Sequence, residues 1–337
     1  MSTQPEVGVI TPVYNGAKYL AESIESVLAQ TYSNWTLTIV NNCSTDSTAE
    51  VARSYAARDS RIRFHENPQF LPAIANHNAS LRLLPPDSKY CKLLFADDWL
   101  FPECLERTVA LAEAHPSVGI VGAYGLQDAY VLWTGLAYSH SVVAGREACR
   151  QRLLNGPYVF GSGTSQLFRA EIVRNLDPFY NENNLHCDSE VCFKILQDSD
   201  FGFIHQILSY TRAPGNQSLT TKARRLSTLE IMTFFEFLTY GPVFLTPEEF
   251  QSCKPKQLAQ CYSVMAHSIL EGNESWDFQK AKLAEFGLTL DHTRFAKAVL
   301  TAGLDALFHS PVETLAKLGR RRSVIYNRFR ALFGRSN

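Results

Sequence analysis

Between Val7 and Gly122 the chain alternates short apolar runs with stretches whose apolar residues recur at helical spacing. No other feature constrains the fold as much. Val7 to Val13 reads as a buried strand that ends at Pro12-Val13-Tyr14-Asn15-Gly16. Leu20, Ile24, Val27 and Leu28 then fall on one face of a helix ending near Gln30. Trp35 to Val40 is a second strand, closed by Asn41-Asn42-Cys43-Ser44-Thr45-Asp46, with Asp46 placed to cap the helix behind it. Ile62 to His65, Tyr90 to Ala96 and Val118 to Gly122 read as further strands. Ala73 to Leu84 and Pro102 to Ala114 read as the helices between them. This order predicts βαβ units, hence an α/β fold with a mostly parallel central sheet and helices on both faces.

Beyond Gly122 the pattern loosens. Leu126 to Trp133 and Thr164 to Phe168 are expected strands and Arg146 to Leu154 a helix, while Gly156, Gly161 and Gly163 mark a loop over the site. Asp188 opens a helix running to about Gln197, and Gly202 to Tyr210 is another strand. From about Arg224 only helices are expected: Ser227 to Leu238, Lys256 to Leu270, Trp276 to Phe286 and Thr293 to Leu307. The expected division is therefore an α/β domain over 1–222 and a helical carboxyl-terminal region over 223–337. With 337 residues, both can bury a core.

Composition excludes several classes. A net charge of −1 gives no overall field to recruit nucleic acid. The 8 cysteines form no C-x-x-C pair, which argues against a zinc or redox framework and fits a reduced, cytoplasmic compartment. Met1 to Glu6 is polar and runs straight into a strand, so no secretion signal is expected, and no apolar run is long enough to cross a bilayer. The tail is distinct: from Lys317 onward every charged residue is positive, and Ile325, Phe329, Leu332 and Phe333 share one helical face. Such a helix suits an anionic membrane surface or a partner groove, and a solvated terminus is the plainer alternative.

Four segments carry candidate chemistry. The fourth strand delivers Asp97 and Asp98 to the carboxyl edge of the sheet, where open α/β folds bind ligands. Adjacent carboxylates repel, and a divalent ion holding a phosphorylated substrate compensates them; a solvated turn does so too. Tyr14 follows a strand end, where its ring either stacks on a planar base or half-buries at the sheet edge. Backbone near Thr11 and Val13 can meet a base edge, and Asn41 and Asn42 can read that edge or simply form a turn. Asp188, at a helix amino terminus, is held ionised by the helix dipole and suits either a general base or a cap.

Taken in order, these segments resemble the family 2 glycosyltransferases, which have the GT-A fold. The likeness covers about residues 7 to 218. Thr11-Pro12-Val13-Tyr14-Asn15 resembles the family's opening strand. Asn41 to Asp46 resembles its nucleotide loop, and Ala75-Asn76-His77-Asn78-Ala79 the helix below the sugar site. Lys92 to Asp98 is similar to the D-x-D region and Cys187-Asp188-Ser189-Glu190 to the segment of the catalytic acid. Gln206 to Arg212, with Ser218, is similar to the strand and loop over the diphosphate. Departures are also present. Phe95 replaces the first acid of D-x-D, Asn41 and Asn42 stand where two acids are usual, His77 stands for an Arg, and Cys187 for a Glu.

The resemblance implies transfer of a sugar, with inversion, from a UDP- or dTDP-sugar to a hydroxyl of a glycan or lipid-linked acceptor. It implies a role in cell-surface polysaccharide synthesis, with the enzyme cytoplasmic or at the inner face of the cell membrane. Asp188 is the implied base and Asp97 and Asp98 the implied ligands of Mg2+ or Mn2+. Thr11, Pro12, Tyr14, Asn41, Asn42, His77, Asp97 and Arg212 are the implied nucleotide-sugar contacts. A non-catalytic sugar-nucleotide-binding or scaffold relative is the competing reading. A nucleotidyltransferase is disfavoured because Pro12-Val13-Tyr14-Asn15 is not a Gly- and Arg-rich loop.

Overall fold

A computed structural model of the chain describes residues 4–213, 221–223, 226, 228–271 and 275–309. At its centre lies β1 (Val7–Val13), buried along all seven residues. A strand covered on both faces must be apolar on both, which is why this segment reads as a run and not as an alternation. On one side β1 pairs in parallel with β2 (Trp35–Asn41), which pairs in parallel with β3 (Ile62–Glu66). On the other side it pairs in parallel with β4 (Tyr90–Leu93). The connecting helices are α1 (Ala17–Leu28), α2 (Thr48–Ala56) and α3 (Ala73–Leu81). The chain thus runs outward through β2 and β3 and returns on the far side of β1, so the switch point of the sheet falls between β1 and β4.

Register opens that point. Pairing with β2 continues to Val13 opposite Asn41, whereas pairing with β4 stops at Ile10 opposite Leu93. Thr11, Pro12 and Val13 therefore extend past the end of β4 and leave a notch at the carboxyl edge. The fourth strand is shorter than the expected Tyr90 to Ala96. After Leu94 donates to the Ile10 carbonyl, the Phe95 N–H turns to Thr164 Oγ1, and Asp98 N–H closes a turn on the Phe95 carbonyl.

The rest of the sheet is mixed. After β5 (Trp99–Leu100) and α4 (Cys104–Ala114), β6 (Val118–Gln127) folds back on β7 (Tyr130–Leu132). The expected single strand from Leu126 to Trp133 is thus a hairpin, turned at Asp128 with φ +51°. Next come β8 (Val142–Val143), α5 (Gly145–Leu153) and a 3-10 turn at Gly163–Ser165. That turn replaces the start of the strand expected over Thr164 to Phe168, closed by Ser165 N–H on the Ser162 carbonyl and by Ser162 N–H on Ser165 Oγ. Only β9 (Leu167–Arg169) is strand, antiparallel to both β4 and β6. α6 (Ala170–Asn175), α7 (Cys187–Ile195) and β10 (Asp200–Tyr210) complete the unit, with β10 parallel to β6.

The chain forms two compact units, Met1–Ala213 and Pro214–Asn337. In the second, the described residues make α8 (Thr228–Phe244), α9 (Pro247–Glu271), α10 (Ser275–Glu285) and α11 (His292–His309). Phe234, Phe235, Met265, Ile269, Trp276 and Phe295 form its core. No helix among the described residues is long and apolar enough to cross a membrane. Ser218 and the basic tail from Lys317 lie outside the described residues.

One buried side chain fixes the loop ahead of α7 to the first half of the unit. Asn78 on α3 donates through Nδ2 to the Tyr180 carbonyl at 2.9 Å and accepts from the Tyr180 N–H at 2.8 Å. Asn78→Ala leaves both backbone groups unpaired in a buried place, a loss of about 2 kcal/mol or more. A lowered urea midpoint relative to the parent chain is the expected result.

Candidate active site

The notch beside β1 is walled by two loops that grip each other. Asn15 N–H donates to Ser44 Oγ, Thr45 N–H donates to Asn15 Oδ1, and Gly16 N–H donates to Thr48 Oγ1. Asn15 and Cys43 both take left-handed φ, +50° and +57°, to make these turns. Asp46 accepts from the N–H groups of Thr48 and Ala17, so one carboxylate serves the starts of α2 and α1. The cap position of α2 is Ser47, one residue beyond the expected Asp46, which holds the first N–H of the helix from ahead of it. On this frame Tyr14 stands 47% exposed, while Thr11 and Pro12 are buried in the strand.

Asn41 and Asn42 do something other than face a ligand. Asn41 is 0% exposed, donates to Glu66 Oε1 and accepts from Ser44 N–H. Asn42 Nδ2 donates to the Leu71 carbonyl, and its Oδ1 accepts from Leu71 N–H and from Asn67 Nδ2. Their expected role at a base edge is corrected here to loop bracing, because burial has committed the carboxamides to backbone and to each other's neighbours.

The two adjacent aspartates also part company. Asp98 is 3% exposed, accepts from Arg212 N–H through Oδ1 at 2.9 Å, and accepts from Thr164 Oγ1 through Oδ2 at 2.6 Å. Burial, then the charge of Asp97, pushes its carboxyl up to about 7. Each oxygen already holds one donor, so Asp98 braces two segments, and the ligand role implied for it would draw on the lone pairs that remain. Asp97 opens to solvent, its carboxyl raised by desolvation, with Arg212 acting against the rise. No other side chain among the described residues hydrogen-bonds the Asp97 carboxylate. It fits a cation that draws its remaining ligands from substrate oxygens and water. No cluster of three or more metal-ligating side chains occurs among the described residues.

Arg212 lies along the same edge. Its Nε donates to the Asp97 carbonyl, its NH2 pairs with Glu22 at 2.5 Å, and its guanidinium lies 3.9 Å from the centre of the Tyr19 ring. Trp99, stacked on Tyr210 at 3.7 Å, flanks it. The cation is therefore held by protein groups at the mouth of the notch.

Asp188 sits in the first turn of α7, where Ser189 N–H donates to its Oδ1 at 2.9 Å. The helix terminus does lower its carboxyl, but burial outweighs it and raises the group to about 6. The dipole argument alone thus misjudges the direction. The group still ionises near neutrality and stays basic enough to take a proton. His77 packs 5.0 Å from the Phe95 ring and 6.3 Å from that of Tyr180, and burial lowers its imidazole to about 4. It is a neutral ring in an aromatic row, so the nucleotide-sugar contact implied for it would be made without charge. His186 is likewise lowered to about 4, by burial and then by the charge of Arg152.

One short segment joins the two acids. Thr164 holds Asp98, while Gln166, two residues on, donates through Nε2 to Cys192 Sγ, which in turn contacts the Asp188 carbonyl at 3.1 Å. The ring of Phe95 would meet a Cβ on Gly163 at 3.2 Å, so that position has no room for a side chain. Asp98 and the turn bearing Asp188 are thereby tied to opposite ends of residues 164–166. Thr164, Gln166 and Tyr180 were not singled out in the sequence. Nothing local marks them, although the glycines around Thr164 locate the loop. Phe70, 56% exposed and 4.9 Å from Tyr14, was also missed. The apolar pair Phe70-Leu71 in the loop after the third strand was its only signal.

An open α/β sheet whose strand register leaves a notch at its switch point, with an exposed acid after the fourth strand, is an arrangement at which ligands bind. Over residues 8–177 the sequence matches the profile of glycosyl transferase family 2. EpsE of Bacillus subtilis, named as a glycosyltransferase, is 32% identical over 218 residues, which cover 59% of this chain and 76% of that protein. Among solved structures, residues 1–349 of TarS from S. aureus superpose with a TM-score of 0.61 at 15% identity, covering 98% of this chain and 94% of that one. TarS has also been solved with UDP-GlcNAc. The mannosyltransferase PcManGT of Pyrobaculum calidifontis, solved with GDP-Man and Mn2+, gives a TM-score of 0.55 at 17% identity, covering 99% of this chain and 89% of that one. The chain belongs to glycosyltransferase family 2 and has the GT-A fold.

The raised carboxyl of Asp98 makes a stability prediction. An acid whose folded value lies above its unfolded one binds its proton more tightly when folded. Its contribution is complete below the unfolded value and is lost as pH rises through the folded one. For Asp98 that window runs from the ordinary 3.8 to about 7. In chelator, Asp98→Asn is expected to flatten the fall in urea midpoint across this window, and an unchanged slope would show that another group carries it.

Proposed function

We propose that the chain transfers a sugar from a UDP- or dTDP-sugar to an acceptor hydroxyl with inversion at the anomeric carbon. The observation that supports this reading is the tie of Asp98 and of the turn bearing Asp188 to one segment, at positions two residues apart. In the proposed step the acceptor oxygen bonds to the anomeric carbon as the bond from that carbon to the diphosphate oxygen breaks. Asp188 accepts the acceptor's proton, and a carboxyl near 6 is matched to that task at neutral pH. Arg212 is assigned to the developing charge on the leaving diphosphate, which requires it to exchange its pairing with Glu22. Asp97 would hold a divalent cation, which when bound supplies further positive charge at the diphosphate. Tyr14 is assigned to the base, and Thr11 and Pro12 to the backbone wall beside it. The structures of TarS with UDP-GlcNAc and PcManGT with GDP-Man and Mn2+ support a nucleotide-sugar donor and a divalent ion. A glycan or lipid-linked acceptor in surface polysaccharide synthesis, met in the cytoplasm at the membrane's inner face, rests on the family resemblance.

One observation favours a second reading. Phe95 stands where the family's first acid would be, and its ring is packed against His77 and Gly163. A non-catalytic nucleotide-sugar-binding relative would tolerate that replacement. Assay of a donor panel with manganese separates the two, since a scaffold releases no nucleoside diphosphate.

Asp188→Asn is expected to lower transfer about 10²- to 10⁴-fold. Nucleotide affinity, read by calorimetry, should stay unchanged; equal loss of both would remove the base assignment. In the parent enzyme, kcat/KM should fall with acidification through an apparent pKa of about 6. Asp97→Ala should abolish the manganese-dependent part of nucleotide binding, and equally tight binding in chelator by the parent chain would argue against a ligand role.

A further inference from the structure

Two large rings stand exposed beside each other at the carboxyl edge of the parallel strands. Tyr14 follows β1 at 47% exposure, and Phe70 follows β3 at 56%. Their centres are 4.9 Å apart at an interplanar angle of 64°, so the rings meet edge to face and form a corner. A single exposed phenylalanine is ordinary, but two touching rings open to solvent at a ligand-binding sheet edge are not accounted for by the core.

The loop carrying Phe70 is fixed from beneath. Asn42 makes a two-point clasp on Leu71, donating to its carbonyl at 2.8 Å and accepting from its N–H at 3.0 Å. Asn67, at the other end of the loop, donates through Nδ2 to Asn42 Oδ1 at 3.0 Å and to Asn76 Oδ1 at 2.8 Å. Asn67 N–H also donates to the Asn41 carbonyl at 2.9 Å. Asn42, Asn67 and Asn76 are each at most 5% exposed, so this carboxamide network is dry and sensitive to the loss of any member. A network of this kind holds the backbone on both sides of Phe70 while leaving its ring in water.

We propose that Phe70 is a second aromatic wall of the nucleobase site and that Asn42 is the positioning residue that presents it. The proposal deepens the nucleotide-sugar reading and rests on it. A planar base stacked on one ring of the corner brings its edge against the other, which adds apolar contact without a hydrogen-bonding code. With the carboxamides of Asn41 and Asn42 committed to the loops, ring contact and nearby backbone are what remain to hold the base.

Calorimetric titration of the full chain with UDP, TDP, CDP and GDP in manganese tests it. With the tightest of the four, Phe70→Ala should raise the dissociation constant about tenfold or more, as loss of a base–aromatic stack does. Phe70→Tyr should restore most of the affinity and Phe70→Leu should not. In transfer assays the loss should appear in KM with kcat near the parent value, the pattern of lost uniform binding. Asn42→Ala should give a similar KM change, and combined with Phe70→Ala it should add little, whereas a purely structural role would lower stability and add fully. Unchanged affinity in Phe70→Ala, with the parent binding normally, overturns the wall and leaves the corner as a surface for a partner chain. Failure of the parent to bind any of the four overturns the donor reading itself.

Discussion

The site depends on a buried carboxylate being held by two donors from distant parts of the chain. Asp98 sits in the turn after the fourth strand, and its oxygens take one hydrogen bond from the backbone of Arg212 and one from the hydroxyl of Thr164. Removing either donor would leave a partly desolvated acid beside Asp97, and such a group is costly unless it is neutralised. The brace therefore couples three segments. The turn after β4, the loop ahead of β9 and the end of β10 must arrive together for any of them to be stable where they are. Asp97 is left free to face outward because its neighbour carries this load.

Around that brace the protein uses small polar side chains in place of the acids and cations that the family resemblance led one to expect. Asn41 and Asn42 close loops, and His77 is an uncharged ring between Phe95 and Tyr180. The common effect is a less charged interior to the notch. Ionisable groups remain beside them, among them Asp97, Arg212 and Asp188. Burial raises the carboxyl of Asp188, and Glu22 holds Arg212. Catalysis by such a site would rely on few groups in fixed places, with the fixing done by hydrogen bonds to backbone.

Much of the fold was legible beforehand. Val7–Val13, Trp35–Asn41 and the helices between them follow from apolar periodicity, and buried parallel strands carry the strongest such signal. Legibility fell where local and distant bonding compete. The fourth strand ends early because Phe95 N–H finds Thr164, and the segment before Phe168 turns because Ser162 and Ser165 hydrogen-bond each other. Of the candidate site, Asp97, Asp98 and Asp188 could be singled out from their positions at element ends. Their separate characters could not be, because exposure and protonation depend on what covers a group, and those atoms come from elsewhere in the chain. Phe70 was invisible for the same reason: its meaning comes from Tyr14, and the two are far apart in sequence.

The sequence alone determined the order of strands and helices, the family, and the strand ends at which chemistry can sit, since these are set by local spacing of apolar, acidic and turn-forming residues. Only the tertiary structure decided which acid of the Asp97–Asp98 pair faces solvent, that the asparagines after β2 are clasps, and that Asp188 is raised by burial despite its helix terminus. Those outcomes depend on desolvation and on donors delivered across the fold, and neither is a property of any short stretch of chain.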